Sequence, residues 1–365
     1  MKEKQVMTVC GSISPDELGI TLPHQHVVCN LLNWFTEPQA VSKHWVIDAP
    51  VSVGHRGLLH MDPTISKDNL VIDDIEMCIQ ELQELKMWGG KSIVDTCPIG
   101  AGRDPIAQRK ISIATGINIV CASGWYVAPA HPAYIKEKTE DELCEIIVRE
   151  LTKGCTGTDG IKAGIIKVGV GTHPQSPFSN DDERKVFIAA CRAQTKTGRP
   201  FTMHPNVFDV YNSSQKTKKR HHHVYLDLMK KEGVDFEKFY FSHMDWFCTE
   251  IDLQKSILDR GVGICYDGFN EEEYWLSLGY GLNHDNRERI VSLLKLLEAG
   301  YKKQIMLACE CFLKIHYKKY GGYGNSHLLE YIIPILKNHY GVSDKKIHTM
   351  LVENPKRYLS FSVVS

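Results

Sequence analysis

Five residues able to bind or bridge metal ions stand at the ends of apolar runs. Lys167 closes the run Gly164-Ile165-Ile166-Lys167-Val168-Gly169. An ammonium group in such a place must find a partner or give up its charge. His24 and His26 end another run, His204 follows Pro200-Phe201-Thr202-Met203, and His243 follows Phe239-Tyr240-Phe241-Ser242. His24 and His26 are two apart, so on a strand they face the same side and can share one ion. Two divalent ions a few ångströms apart repel each other, and a bridging anion relieves that repulsion. A lysine carboxylated by CO₂ is such an anion, and it needs the neutral amine that burial favours. Together these residues suggest a dinuclear metal centre in a metal-dependent hydrolase. The competing readings are histidines satisfied within a core, and Lys167 paired with a strand-end acid such as Asp267.

Eight candidate strands carry or separate these residues: 20–28, 92–96, 118–123, 160–168, 200–204, 239–243, 262–267 and 304–310. Amphipathic helices alternate with them. Asp73-Asp74-Ile75-Glu76 reads as a capping box, followed by Ile75, Cys78, Ile79 and Leu82 on one face and a stop at Gly89-Gly90. Thr139 with Glu142, and Asn180 with Glu183, open two more, which end at Gly154 and Gly198; a fourth spans 287–299 before Gly300. Eightfold alternation predicts an α/β fold, a (β/α)₈ TIM barrel with its active site at the C-terminal strand ends. An open doubly wound sheet would want a glycine-rich turn after strand 1, where His24-Gln25-His26 stands instead. Residues 30–70 form a long insertion after strand 1, expected over the barrel mouth. With no repeat or linker visible, residues 1–365 read as a single domain.

A net charge of −1, with 43% hydrophobic and 24% charged residues, gives no electrostatic reason to expect nucleic acid or an anionic membrane. No apolar run reaches transmembrane length, and the first residues lack a signal-peptide core, so a cytoplasmic protein is expected. Twelve scattered cysteines without a Cys-x-x-Cys pair read as reduced, buried side chains. Cys309-Glu310-Cys311 stands apart because it ends strand 8. His221-His222-His223 is expected to open a surface helix rather than bind metal. Trp125, Tyr126 and Asp267, at the ends of strands 3 and 7, are candidates for the pocket wall. Arg103 and Lys314 are candidates to neutralise an anionic group on a small-molecule substrate, the plain alternative for Lys314 being the start of a solvated helix.

The chain resembles the phosphotriesterase family of the amidohydrolase superfamily, in its phosphotriesterase-related, resiniferatoxin-binding-like branch. The motifs run nearly end to end: Gly19-Ile20-Thr21-Leu22-Pro23-His24-Gln25-His26, Val94-Asp95-Thr96 with Gly102-Arg103-Asp104, and Ala163-Gly164-Ile165-Ile166-Lys167-Val168. Ser242-His243-Met244-Asp245, Tyr320-Gly321-Gly322-Tyr323-Gly324 and Glu353-Asn354-Pro355-Lys356-Arg357 complete the set. The resemblance implies two divalent ions, zinc first, with Mn²⁺, Co²⁺ or Fe²⁺ as alternatives. His24 and His26 would hold the more buried ion, His204 and His243 the more exposed one, and carboxylated Lys167 would bridge them. Glu310 stands where the family has an aspartate that binds metal and takes the proton of the bridging water. Its extra methylene moves the carboxylate by roughly one C–C bond length. Lysine is a second departure, since close relatives often bridge with glutamate. The implied activity is attack of metal-bound hydroxide on a small ester, lactone or N-acyl amide, with Asp267 assisting the proton relay, in a homodimer. Two other classes stay open: a catalytically weakened metal- or ligand-binding member with Glu310 as its lesion, and a redox or structural metal protein using Cys309 and Cys311.

Overall fold

Eight short runs rich in β-branched and aromatic residues form one parallel sheet. They are β1 (Thr21–Gln25), β2 (Ser92–Asp95), β3 (Asn118–Ser123), β4 (Ile165–Gly169), β5 (Phe201–His204), β6 (Phe239–Phe241), β7 (Gly263–Tyr266) and β8 (Ile305–Leu307). The computed structural model describes residues 4–171, 176–207, 220–278 and 284–362. The strands lie in chain order, each parallel to its neighbours, and the sheet curls into a nearly closed barrel. Both faces of the strands are buried, as parallel sheets require, so the strands read as continuous apolar runs. The Gln25 side chain spans the seam between β1 and β8. Its amide donates to the Cys309 carbonyl at 2.7 Å and accepts from Cys311 N–H at 3.0 Å.

All eight expected strands are present, and several are shorter than expected. β1 stops at Gln25 and β6 at Phe241, and two residues beyond each end a backbone donor leaves the ladder for a side chain. Val27 N–H reaches Asp95 at 3.0 Å, and His243 N–H reaches Asp267 at 3.0 Å. β8 stops at Leu307, and three residues on Glu310 N–H bonds the Asp267 carbonyl at 2.7 Å.

Seven helices follow β1 to β7 in turn: α1 (Ile75–Met87), α2 (Pro105–Thr115), α3 (Glu140–Thr152), α4 (Asp181–Thr197), α5 (His221–Lys231), α6 (Ile251–Leu258) and α7 (Asn286–Glu298). Helical segments at 328–338 and 344–359 follow β8. Thr139 and Glu142 form the expected capping box of α3. The cap of α1 is Asp74 rather than Asp73, because Asp74 accepts the Met77 N–H. Asn180 caps α4, but Glu183 turns away and accepts from the N–H groups of Ala128, Gly171 and Ser179, tying the loops after β3 and β4 together.

The insertion leaves and rejoins the barrel through an antiparallel pair, Cys29–Asn30 with Val71–Ile72. Short 3₁₀ turns and the helix Arg56–Met61 fill it. An antiparallel sheet of Lys4–Thr8, Gly11–Ile13 and Phe361–Ser362 joins the two ends of the described chain. Among the described residues no helix is long and apolar enough to cross a membrane.

Candidate metal centre

The C-terminal ends of β1, β4, β5, β6, β7 and β8 bring together His24, His26, Lys167, His204, His243, Asp267 and Glu310. All are buried except His204, which keeps some exposure. His24 Nε2 lies 3.0 Å and His26 Nε2 2.6 Å from Glu310 Oε1, and His243 Nδ1 lies 3.6 Å from Glu310 Oε2. Asp267 meets His24 Nδ1 at 2.9 Å and His243 Nδ1 at 3.1 Å. The rings of His24 and His243 are 4.7 Å apart, and those of His204 and His243 4.5 Å.

These donors fit a cation by a direct test. His26 Nε2 hydrogen-bonds Glu310 and His243 Nδ1 hydrogen-bonds Asp267, but among the described residues neither nitrogen of His24 makes a hydrogen bond of acceptable geometry and His204 Nε2 has no partner. Nitrogens left unpaired beside carboxylate oxygens suit ligands of an ion. The ligand atoms of His24, His243 and Glu310 all lie within 4.8 Å of one another. Burial, with Lys167 nearby, lowers the pKa of His24, and burial with His243 lowers that of His204 well below the usual range. Both therefore favour the neutral imidazole that a metal needs. Burial alone would raise Asp267 and Glu310, but His243 and His24 outweigh it and hold both carboxyls low. His26 Nδ1 meets the Cys97 thiol at 2.8 Å, so Nε2 is the nitrogen turned toward Glu310.

Lys167 is 1% exposed and, among the described residues, has no ion-pair partner, Asp267 included. Burial brings its amine from 10.5 down to about 8, against the opposing pull of Glu310 and Asp267. Gly124, at φ 127°, lets the loop after β3 pass against the Lys167 carbonyl, where a Cβ would lie 2.1 Å from the oxygen.

Around the centre a cavity of about 610 Å³, counted out to its mouth, is walled by Trp34 and Leu70 of the insertion, Tyr126, Trp246, Trp275 and Phe312. The insertion does lie over the mouth, and Trp34 Nε1–H donates to the Tyr126 hydroxyl at 3.1 Å.

Of the expected pocket residues, Tyr126 lines the cavity, Asp267 is buried outside its lining against His24 and His243, and three lie elsewhere. Trp125 is fully buried outside the cavity lining, its indole N–H on the Tyr134 hydroxyl and its carbonyl on Gly169 N–H, so it fixes β4 against β3. Arg103 forms a two-pronged buried pair with Glu150 at 2.6 and 2.8 Å, and donates also to the Ala122 carbonyl. Lys314 is bound to Asp68 at 2.5 Å, tying the insertion to the loop after β8 instead of starting a solvated helix. Removing one side of a buried ion pair leaves an uncompensated charge. Arg103→Ala should therefore destabilise the fold by about 3–5 kcal/mol in denaturant unfolding, without a selective rise in KM.

His221 and His222 do open α5, but they are buried rather than on a surface, with His222 packed among Phe241, Phe247 and Tyr225. Cys309 and Cys311 point away from the centre, toward the Asn325 carbonyl and the Asn270 amide.

Some supporting residues were given no role by the sequence. Gln25 grips the backbone on either side of Glu310. Asp245 accepts from the Asp267 and Gly268 N–H groups while buried against Arg289 at 2.8 Å, and so sets the end of β7. Glu271, buried at the cavity wall, accepts from Trp246 Nε1–H at 3.1 Å.

Fold and site together define a metal-dependent hydrolase built on a (β/α)₈ barrel. The chain belongs to the phosphotriesterase family, whose profile matches residues 4–359. It is 31% identical over 361 residues to the N-acetyltaurine hydrolase of Xenopus tropicalis, covering 98% of each chain. Its fold is similar to that of a resiniferatoxin-binding protein from Rhodobacter sphaeroides, with a TM-score of 0.89, 29% identity, and coverage of 97% of this chain and 94% of that one. A lactonase from Listeria monocytogenes is similar at a TM-score of 0.75 and 25% identity, covering 98% of this chain and all of that one.

Proposed function

We propose that the chain cleaves small carboxylic esters, lactones or N-acyl amides, with two divalent ions held by His24, His26, carboxylated Lys167, His204, His243 and Glu310. The observation that carries this reading is the convergence of His24, His26 and His243 on Glu310 at the C-terminal mouth of the barrel, with both His24 nitrogens lacking a hydrogen bond among the described residues. When bound, the ions would supply hydroxide near neutral pH and a Lewis acid for the scissile carbonyl. The nitrogen and oxygen donors suit zinc, with Mn²⁺, Co²⁺ or Fe²⁺ as alternatives.

The protein's own residues do the rest. The Lys167 amine, partly neutral because it is buried, forms an N–C bond to CO₂ and sheds a proton, leaving a carbamate able to bridge. Glu310 and Asp267, held low by their histidines, accept and pass on the proton lost by the attacking water. Trp34 and Tyr126 narrow the entrance and limit bulk water around the reacting groups. Activities named for the relatives, an N-acetyltaurine hydrolase and a lactonase, support the substrate range. Twelve reduced cysteines, eleven of them buried, suit a cytoplasmic protein, and the family resemblance suggests a one-domain homodimer.

The test is turnover of a panel of lactones, aryl esters and N-acyl amides by protein purified without chelators. Chelation should abolish turnover and added zinc should restore it. Turnover that survives complete metal removal would refute the metal reading. A metal-loaded protein inert to the whole panel would favour the binding-protein alternative.

A further inference from the structure

Among the described residues, two that are not glycine hold a left-handed backbone: His243 at φ 57° and Trp275 at φ 52°. That conformation is strained for a bulky side chain and persists only where the surroundings over-determine it. His243 has its reason in the metal centre, where its N–H and ring both engage Asp267. Trp275 lines the same cavity, and the mechanism above gives it nothing to do.

The insertion holds Trp275 in place from both sides. Tyr274 N–H donates to the His60 carbonyl at 3.0 Å, and the Tyr274 and His60 rings pack edge to face at 5.6 Å. Ser277 N–H donates to Asp62 at 3.2 Å, and the Ser277 hydroxyl donates to the same carboxylate. The indole lies on Phe312, with centroids 5.9 Å apart and planes 12° from parallel. The other two cavity tryptophans bond within the protein, Trp34 to Tyr126 and Trp246 to Glu271. Among the described residues, the Trp275 indole N–H is buried and has no partner. A strained backbone, clamped around a donor that no described residue uses, fits a ligand contact.

We propose that Trp275 determines specificity by donating its indole N–H to an acceptor oxygen of the substrate, whose apolar flank lies along the Trp275–Phe312 stack. The inference rests on the hydrolase reading above and narrows its substrate class. The substrate is an alkyl or aryl ester, lactone or N-acyl amide with a keto, ether or hydroxyl oxygen away from the scissile carbonyl. The insertion is then the device that holds the specificity residue, beyond covering the mouth.

Trp275→Phe keeps a stacking ring and deletes the donor. The probes are alkyl-substituted lactones, compared with matched members carrying one keto oxygen at successive carbons of the chain. Wild type should prefer at least one keto member over its parent by roughly 5–10-fold in kcat/KM, expressed in KM. The variant should lose that preference, so that it turns over the keto member and its parent with equal kcat/KM. Asp62→Asn, which loosens the clamp, should lose part of the same preference. An equal preference in wild type and Trp275→Phe would overturn the inference. If wild type cleaved no probe, the hydrolase reading would fail instead. The same pairs would then be compared as ligands by calorimetry, where loss of the keto preference in Trp275→Phe remains the expected result.

Discussion

Lys167→Ala should lose most of its bound metal, and its kcat/KM should fall by at least about 10²-fold. A buried lysine with no ion-pair partner among the described residues has no structural role that alanine would spare while catalysis was lost. Its proposed role is to supply a bridging carboxylate, so formate, acetate or propionate should restore part of the activity by occupying the same position. Full activity without rescue would rule out the bridge. The amine also dictates a pH trend. Burial lowers it from 10.5 to about 8, so its neutral fraction is about a tenth at pH 7 and half at pH 8. At fixed dissolved CO₂, activation of metal-free protein by CO₂ and zinc should speed up from pH 6.5 to 8.5 and level off above. A rate that falls over that interval would contradict the assignment.

Glu310→Asp should be the second most damaging change, lowering activity by about 10²-fold. Glu310 sits where the family resemblance implies aspartate, yet the longer side chain is not idle. Its oxygens reach His24, His26 and His243, and Gln25 pins the backbone on either side of it. Shortening it draws the carboxylate back by roughly 1.5 Å, beyond the reach of at least one histidine. Kinetics and metal content of the variant decide the matter. A gain in activity would mean that glutamate is a lesion and would favour the weakened, ligand-binding alternative.

The barrel was legible because parallel strands buried on both faces leave apolar runs at regular spacing, and all eight were found. Their ends were less legible. β1, β6 and β8 stop early where backbone donors turn to Asp95 and Asp267, a switch that no local pattern announces. The gathering of His24, His26, Lys167, His204 and His243 at the barrel mouth was legible for the same reason as the strands: each ends an apolar run. The pocket wall was not. Arg103 and Lys314 were read as free cations, but their partners, Glu150 and Asp68, lie 47 and 246 residues away in the chain. Trp125 and Tyr126 are neighbours at one strand end, and only the packing shows which faces the cavity. Gln25 was in view between two candidate ligands, and Asp245 lay inside a quoted motif. Their work is on distant backbone groups, and a sequence does not display it. Trp275 had no signal at all, since a left-handed tryptophan is a product of clamps from the insertion.

The central claim is a dinuclear centre bridged by a modified lysine. Its most direct test is a crystal structure with quantitative metal analysis, on protein purified without chelators. The account predicts two ions per chain, His24, His26, His204, His243 and Glu310 as ligands, and a CO₂-sized adduct on Lys167 Nζ between the ions. One ion or none, with an unmodified Lys167, would contradict it.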